Sequence, residues 1–199
     1  MKGALGERLG VFGGTFDPVH IGHLVAAVNA RHLLGLDRVL FVVANRPWQK
    51  ADRRVTPAEQ RFAMVEAAVG GDLGLEASRV ELDRGGDSYT ADTLRALVAE
   101  DSRRELFLVV GADVAADLGT WREVGIARDL ATLAVVSRPG APDVDPGPGW
   151  RVARVDIPHL DVSASDLRHR VAAGLPIDHL VPPGVIDHIR RLGLYAGGR

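Results

Sequence analysis

The 199-residue chain has no cysteine. That excludes a disulfide framework, a thiolate nucleophile and a zinc–cysteine site. It has no excess of positive charge: the formal net charge is −2, so no basic field draws nucleic acid to it. No apolar run approaches the roughly 20 residues that span a bilayer. The N-terminus also lacks an apolar stretch followed by a small-residue cleavage site. These absences predict a cytoplasmic protein with no membrane partner. There is no internal repeat, and Pro and Gly concentrate in one stretch, 139–149. What is present is hydrophobic substance, 46% of residues, enough for a sizeable core in one domain over 1–199.

Continuous apolar runs alternate with helix-period segments. Strands are predicted at Leu9–Phe12, Val39–Val43, Ser78–Leu82, Leu106–Val110, Leu133–Val136 and Val152–Val155. Ile21, Leu24, Val25, Val28 and His32 follow the spacing of an amphipathic helix. Further helices are expected at about Pro57–Val69 and Thr90–Ala99, and from about Ser163 and Pro183 near the end. Strands apolar on both faces and separated by helices indicate a parallel sheet covered on both sides. The expected class is a Rossmann-like, doubly wound α/β fold with strand order 3-2-1-4-5 and a small C-terminal helical portion.

The first chemical signal follows strand one: Gly13-Gly14-Thr15-Phe16-Asp17-Pro18-Val19-His20-Ile21-Gly22-His23. Two glycines after a buried strand allow a sharp turn and close approach of a ligand. The helix starting near Gly22 offers free N–H groups and a positive dipole end to an anion. His20 and His23, three apart across that start, can face one ligand. No carboxylate ligand sits beside them as in a zincin, and neither the dinucleotide glycine fingerprint nor the P-loop pattern is present. Asp17 is read only as a turn-shaping residue. The second signal is Val162-Ser163-Ala164-Ser165-Asp166-Leu167-Arg168. Ser163 is expected to cap a helix with Asp166 as its capping-box partner, and Arg168 has the planar fork that matches phosphate.

The first segment closely resembles the nucleotidyltransferase superfamily signature, whose core is His-x-Gly-His. The second resembles that superfamily's Ile-Ser-Ser-Thr-x-x-Arg motif, with Ala164 and Ser165 replacing Ser and Thr. Ser88-Tyr89-Thr90-Ala91-Asp92-Thr93-Leu94 is similar to the Ser-Tyr-Thr-x-x-Thr segment of nicotinate mononucleotide adenylyltransferases. Gly111-Ala112-Asp113, Trp121, Ser137-Arg138-Pro139-Gly140, and His179-Leu180-Val181-Pro182-Pro183 through Leu194-Tyr195 match the same family in the same order. Asn45-Arg46-Pro47-Trp48-Gln49-Lys50 departs from the common Pro-Pro-His-Lys, with Trp48 and Gln49 in place of Pro and His, a variant associated with actinobacterial members.

The resemblance implies transfer of AMP from ATP to nicotinate mononucleotide, giving deamido-NAD and pyrophosphate. It implies ATP contacts from Gly13, Gly14, Thr15, Phe16, Gly22, Gly111, Asp113, Ser163 and Ser165. It implies mononucleotide contacts from Tyr89, Thr90, Trp121 and Arg138. His20, His23, Lys50 and Arg168 would carry the chemistry, supplying positive potential. Mg²⁺ would travel with the ATP phosphates rather than in a protein cage. Two alternatives compete. Phosphopantetheine adenylyltransferases share both phosphate motifs but are shorter and lack the Ser-Tyr-Thr segment and the Leu-Tyr tail. A non-catalytic nucleotide sensor would be expected to lose the charged phosphate contacts, all of which are present here.

Overall fold

The computed structural model describes residues 6–47, 55–71, 74–137 and 144–197. Lys50, Arg138 and the Trp48-Gln49 variant lie outside them, as does the first part of the Pro- and Gly-rich stretch. Six parallel strands form one sheet in the order β3-β2-β1-β4-β5-β6. They are β1 (Arg8–Gly14), β2 (Arg38–Val43), β3 (Leu75–Ser78), β4 (Glu105–Gly111), β5 (Ala131–Ser137) and β6 (Val152–Asp156). The expected order holds for the first five, and β6 extends the sheet beyond β5. The helices are α1 (Ile21–Leu33), α2 (Ala58–Val69), α3 (Val80–Arg84), α4 (Thr90–Glu100), α5 (Ala112–Ala116), α6 (Val124–Leu130), α7 (Ala164–Ala172) and α8 (Pro183–Leu192). None among the described residues is long and apolar enough to cross a membrane.

Strand β2 shows why both faces must be covered. Val39, Phe41 and Val43 enter one core with residues of α2 and α8. Leu40 and Val42 enter the other with Leu94 and Leu97 of α4. The period-two alternation of side chains across a strand thus divides one apolar run between two cores.

Two local expectations need correction. The strand expected at Ser78–Leu82 lies earlier, at Leu75–Ser78, and Val80–Arg84 is helical. Val80 and Leu82 are two apart and imitate a strand. However, the Ser78 hydroxyl accepts the Val80 N–H at 3.4 Å, and Arg79 pairs with Asp83 one helical turn on. The stripe expected on α1 is also displaced: Ala26, Ala27 and Ala30 are buried, whereas Val28 is 49% exposed. Small residues let α1 lie close to β4, β5 and β6, where Ala26 and Ala30 meet Val109, Ala134, Val136 and Val155.

Gly10 serves the same close packing on β1. A Cβ there would lie 2.9 Å from Val39 Cγ2 and 3.0 Å from Leu36 Cδ1. Val39 is β-branched, restricted at χ1 and fully buried, so it yields little. Gly10→Ala is therefore expected to destabilise the protein by about 1–3 kcal/mol through overpacking. Urea unfolding checks this, and a midpoint equal to that of the unmodified protein would refute it.

Candidate active site

β1 pairs with β2 on one side and β4 on the other. The chain winds away from this seam in both directions, so the loops leaving the carboxyl ends of β1 and β4 diverge and leave a crevice. The crevice has two lobes that share Phe12, Gly13, Gly14, Thr15, Gly111 and Val114 as a common wall. One, of about 530 Å³, is lined by His20, Gly22, His23, Asp113, Ser163, Ser165 and Arg168. The other, of about 270 Å³, is lined by Ser88, Tyr89, Thr90, Trp121, Arg122 and Glu81. All described candidates from the sequence therefore converge on one crevice.

In the histidine lobe, His20 caps α1 in an extended conformation and His23 is its third helical residue. The His20 N–H donates to His23 Nδ1 at 3.2 Å. His23 thus does what Glu or Gln does in a capping box. An accepting Nδ1 puts the proton of neutral His23 on Nε2, a tautomer set by this bond. The two imidazole centroids are 3.7 Å apart, and Phe16 backs the His23 ring edge-on at 5.0 Å. Phe16 is 2% exposed with φ of 49°, so its part is to support His23 from beneath. A Cβ on Gly14 would meet the Phe16 ring at 2.7 Å, and one on Gly22 would meet His20 Cε1 at 3.1 Å. Gly13 has nothing within 4 Å of that position, which leaves its face open to the crevice.

Burial pushes His20 down to about 4. Its Nδ1 is enclosed and has no partner among the described residues. His20 is therefore neutral near pH 7. Without an anion in the lobe, His20 therefore adds no positive charge, and two protonated rings this close would repel.

α7 points its N-terminus into the same lobe. Ser163 Oγ accepts the Asp166 N–H at 3.1 Å, so the Ser163 half of the expected capping box is formed. Arg168 Nη2 donates to Ser165 Oγ at 3.1 Å and Nη1 to the Asp17 carbonyl at 2.7 Å. Two pins on one planar group fix the guanidinium. Across the lobe, a Cβ on Gly111 would lie 2.6 Å from Asp113 Oδ1, so Gly111 makes room for that carboxylate.

In the aromatic lobe, Tyr89 occupies the N-cap of α4 and Thr90 is its first residue. Trp121 is half-buried against the second core and also lines the lobe, so it combines the packing and surface roles. Its loop is held by a bidentate Glu123–Arg95 pair at 2.7 and 3.1 Å, with Glu123 left-handed at φ of 52°.

Sequence reasoning missed five residues. Arg122 lies over the Tyr89 ring at 4.6 Å. Glu81, 6% exposed, accepts the Thr93 hydroxyl at 2.5 Å. Arg61, 1% exposed, donates to the carbonyls of Thr56, Thr15 and Asn45 at 2.7, 2.8 and 3.3 Å. Its position four and eight residues before Val65 and Val69 placed it on the buried face of α2, a signal readable from spacing. Asp17 and Tyr195 bond to each other, a contact across 178 positions that no local pattern announces.

Residues 11–170 match the Cytidylyltransferase-like family. The chain is 46% identical over 191 residues to a probable nicotinate-nucleotide adenylyltransferase of Corynebacterium kroppenstedtii, covering 94% of this chain and 90% of that one. It is also 46% identical to one of Frankia casuarinae, covering 93% and 98%. Its fold is similar to that of Plasmodium falciparum nicotinic acid mononucleotide adenylyltransferase complexed with NaAD, with TM-score 0.78, 19% identity, and 95% and 97% of the two chains covered.

The His20 shift generates a stability prediction. An unfolded His titrates near 6.5 and the folded one near 4. Between those values the unfolded state binds the extra proton, so stability falls as pH drops from about 6.5 toward 4, by at most about 1.4 kcal/mol per pH unit from this group. His20→Asn is expected to flatten that part of the curve. Chemical denaturation at stepped pH tests it, and parallel curves for the two proteins would rule the assignment out.

Proposed function

The chain belongs to the cytidylyltransferase-like family, among the nicotinate-nucleotide adenylyltransferases, and we propose that the two-lobed crevice is where it performs that family's reaction. It transfers AMP from ATP to nicotinate mononucleotide, releasing pyrophosphate and forming deamido-NAD. One observation carries the assignment of the site: two helix N-termini, those of α1 and α7, open into a single lobe beside Arg168. Anions are stabilised at such ends by free N–H groups and the helix dipole. We assign the triphosphate to this lobe, with Gly13, Gly14, Thr15, Phe16, Gly22, Ser163 and Ser165 forming its walls and donors. Asp113, reached over Gly111, is assigned to a ribose hydroxyl. Nicotinate mononucleotide takes the aromatic lobe, with Trp121 beside the pyridine ring and Tyr89 and Thr90 at the α4 N-terminus facing its carboxylate. Lys50 and Arg138, which the family resemblance adds to this set, lie outside the described residues.

The attacking group is a phosphate monoester with a second pKa of about 6, already largely dianionic at neutral pH. Activation by a base is unnecessary. The protein has to align the attacking oxygen with the α phosphorus and stabilise charge that develops there. Arg168 does this with a guanidinium held at two points. His23 does it through Nε2–H, with its tautomer fixed from behind. His20 enters neutral, and an arriving phosphate favours its protonation by supplying the opposite charge. Mg²⁺ belongs with this reading as part of the MgATP substrate, where it neutralises phosphate charge. The donor set fits an ion borne by phosphate: of the two carboxylates that line the lobe among the described residues, both Asp17 oxygens are already bonded, which leaves Asp113. A cytoplasmic location goes with a reaction that draws on ATP.

His23→Ala is expected to lower kcat by at least ~100-fold, the range for losing one preorganised transition-state donor, while the protein remains folded. A folded variant with near-normal kcat in a pyrophosphate-release assay would overturn the assignment of the lobe. The same assay, run with ATP and Mg²⁺ against nicotinate mononucleotide, its nicotinamide counterpart and phosphopantetheine, tests the substrate. The acid is expected to exceed the amide by at least ~10-fold in kcat/KM. A carboxylate only accepts hydrogen bonds, whereas a carboxamide turns two hydrogens toward donors. Equal turnover of acid and amide in direct competition would mark a dual-specificity enzyme instead.

A further inference from the structure

Asp17 is a carboxylate in the wall of a lobe built to attract anions. It is 6% exposed, and its own carbonyl holds Arg168 at 2.7 Å. Left to itself, such a carboxylate would turn to the nearest guanidinium. Arg–carboxylate pairing is strong and bidentate, and it would compete with phosphate for the same fork.

The structure shows what prevents this. The Tyr195 hydroxyl donates to Asp17 Oδ1 at 2.6 Å, and the Thr56 N–H donates to Oδ2 at 3.2 Å. Both oxygens are thereby engaged by partners other than Arg168. Arg61 supplies compensating charge at longer range, since Asp17 and Tyr195 both act on it electrostatically. Tyr195 arrives from the far end of the chain because α8 ends at left-handed Gly193, where the Leu194 N–H returns to the Ile189 carbonyl. This is a Schellman-type reversal. Tyr195 is itself left-handed at φ of 62°, a conformation that costs a non-glycine residue energy and persists only where its surroundings fix it. Burial, with Asp17 adding to it, pushes the phenol well above its ordinary range, so it remains a donor at any working pH.

We infer that Tyr195 is a positioning residue for anion binding: it holds the Asp17 carboxylate on a partner other than Arg168 and so keeps Arg168 available to phosphate. The inference rests on the ATP assignment of this lobe. It differs from a packing role in one respect. The ring of Tyr195 packs against the first core, and Tyr195→Phe preserves that ring while deleting the donor. The freed carboxylate is then the damaging species, so neutralising it should relieve the damage. An Asn at position 17 can offer its oxygen to the Thr56 N–H and its NH₂ to the tyrosine oxygen, so Asp17→Asn retains local bonding.

The test is calorimetric titration of MgATP into the unmodified protein, Y195F, D17N and Y195F/D17N, with thermal unfolding of each and the mononucleotide KM measured alongside. Y195F is expected to weaken ATP at least ~10-fold, the scale of one lost hydrogen bond to a charged group together with a misdirected carboxylate, with the mononucleotide KM unchanged. The double variant is expected to recover to within about 3-fold of the unmodified protein, a non-additivity that marks direct coupling. Unchanged ATP affinity in Y195F, or a double variant weaker than Y195F, overturns the inference, and in a purely structural role the two losses would add. If Y195F proves unfolded, D17N alone decides: ATP affinity at or above that of the unmodified protein supports the inference, and a 10-fold loss overturns it. An unmodified protein that binds ATP but releases no pyrophosphate with nicotinate mononucleotide defeats the proposed reaction and leaves this comparison intact. One that does not bind ATP defeats both.

Discussion

The pairing of β1 with β4 is the constraint on which the crevice depends. Leu9 lies opposite Leu106 and Val11 opposite Leu108, while the other edge of β1 carries β2 in parallel. A parallel strand reaches its neighbour only through a crossover over one face. Chains leaving the central pair must therefore diverge, α1 to one side and α5 to the other. The gap between them is a product of topology, and the residues at its rim were free to acquire chemistry. Glycines at 13, 14 and 111 hold the backbone close where the gap narrows.

Buried charge is the second organising element. Arg61 is a buried guanidinium on the same helix as buried Phe62, Met64 and Val65, and taking it out of water is tolerated only because three carbonyls receive its N–H groups. Those carbonyls belong to Thr15 on the glycine turn, Asn45 after β2 and Thr56 before α2. One side chain thus ties the wall shared by the two lobes to the segments flanking residues 48–54. Asp17, close in charge and in space, extends the same arrangement to the C-terminal tail. The ion pairs at the opposite end of the sheet, such as Arg38 with Glu7 and Glu76, are partly solvated and add less.

Much of this was readable from sequence because it rests on local rules. The parallel sheet followed from apolar runs alternating with helices, and the starts of α7 and α8 followed from Ser163 and Pro183. With strands one and four as neighbours, the switch point brings the Gly13–His23 loop and the Gly111–Asp113 loop to one crevice. The misreadings have physical causes. Val80 and Leu82 carry a strand period inside a short helix because a hydroxyl and an ion pair, not burial, set the backbone there. The alanines of α1 are buried because proximity to the sheet outweighed side-chain size. Asp17 looked like turn chemistry because its partners, Tyr195 and Arg168, are brought to it by tertiary structure. Arg122 carried no signal in the sequence because its place over the Tyr89 ring is set by tertiary structure.

The wall common to the two lobes has a kinetic consequence. In the proposed reading, each substrate occupies one side of the Gly13–Thr15 turn, and the product, which joins a portion of both, is a bivalent ligand. Its second half binds at the high effective concentration set by the first, with no new contact needed. Pyrophosphate leaves nothing behind it in the histidine lobe but the adenylyl end of a molecule still anchored in the aromatic one. Dissociation then requires both ends to let go together, which makes departure of the dinucleotide, rather than bond exchange at phosphorus, the step with most power to limit turnover.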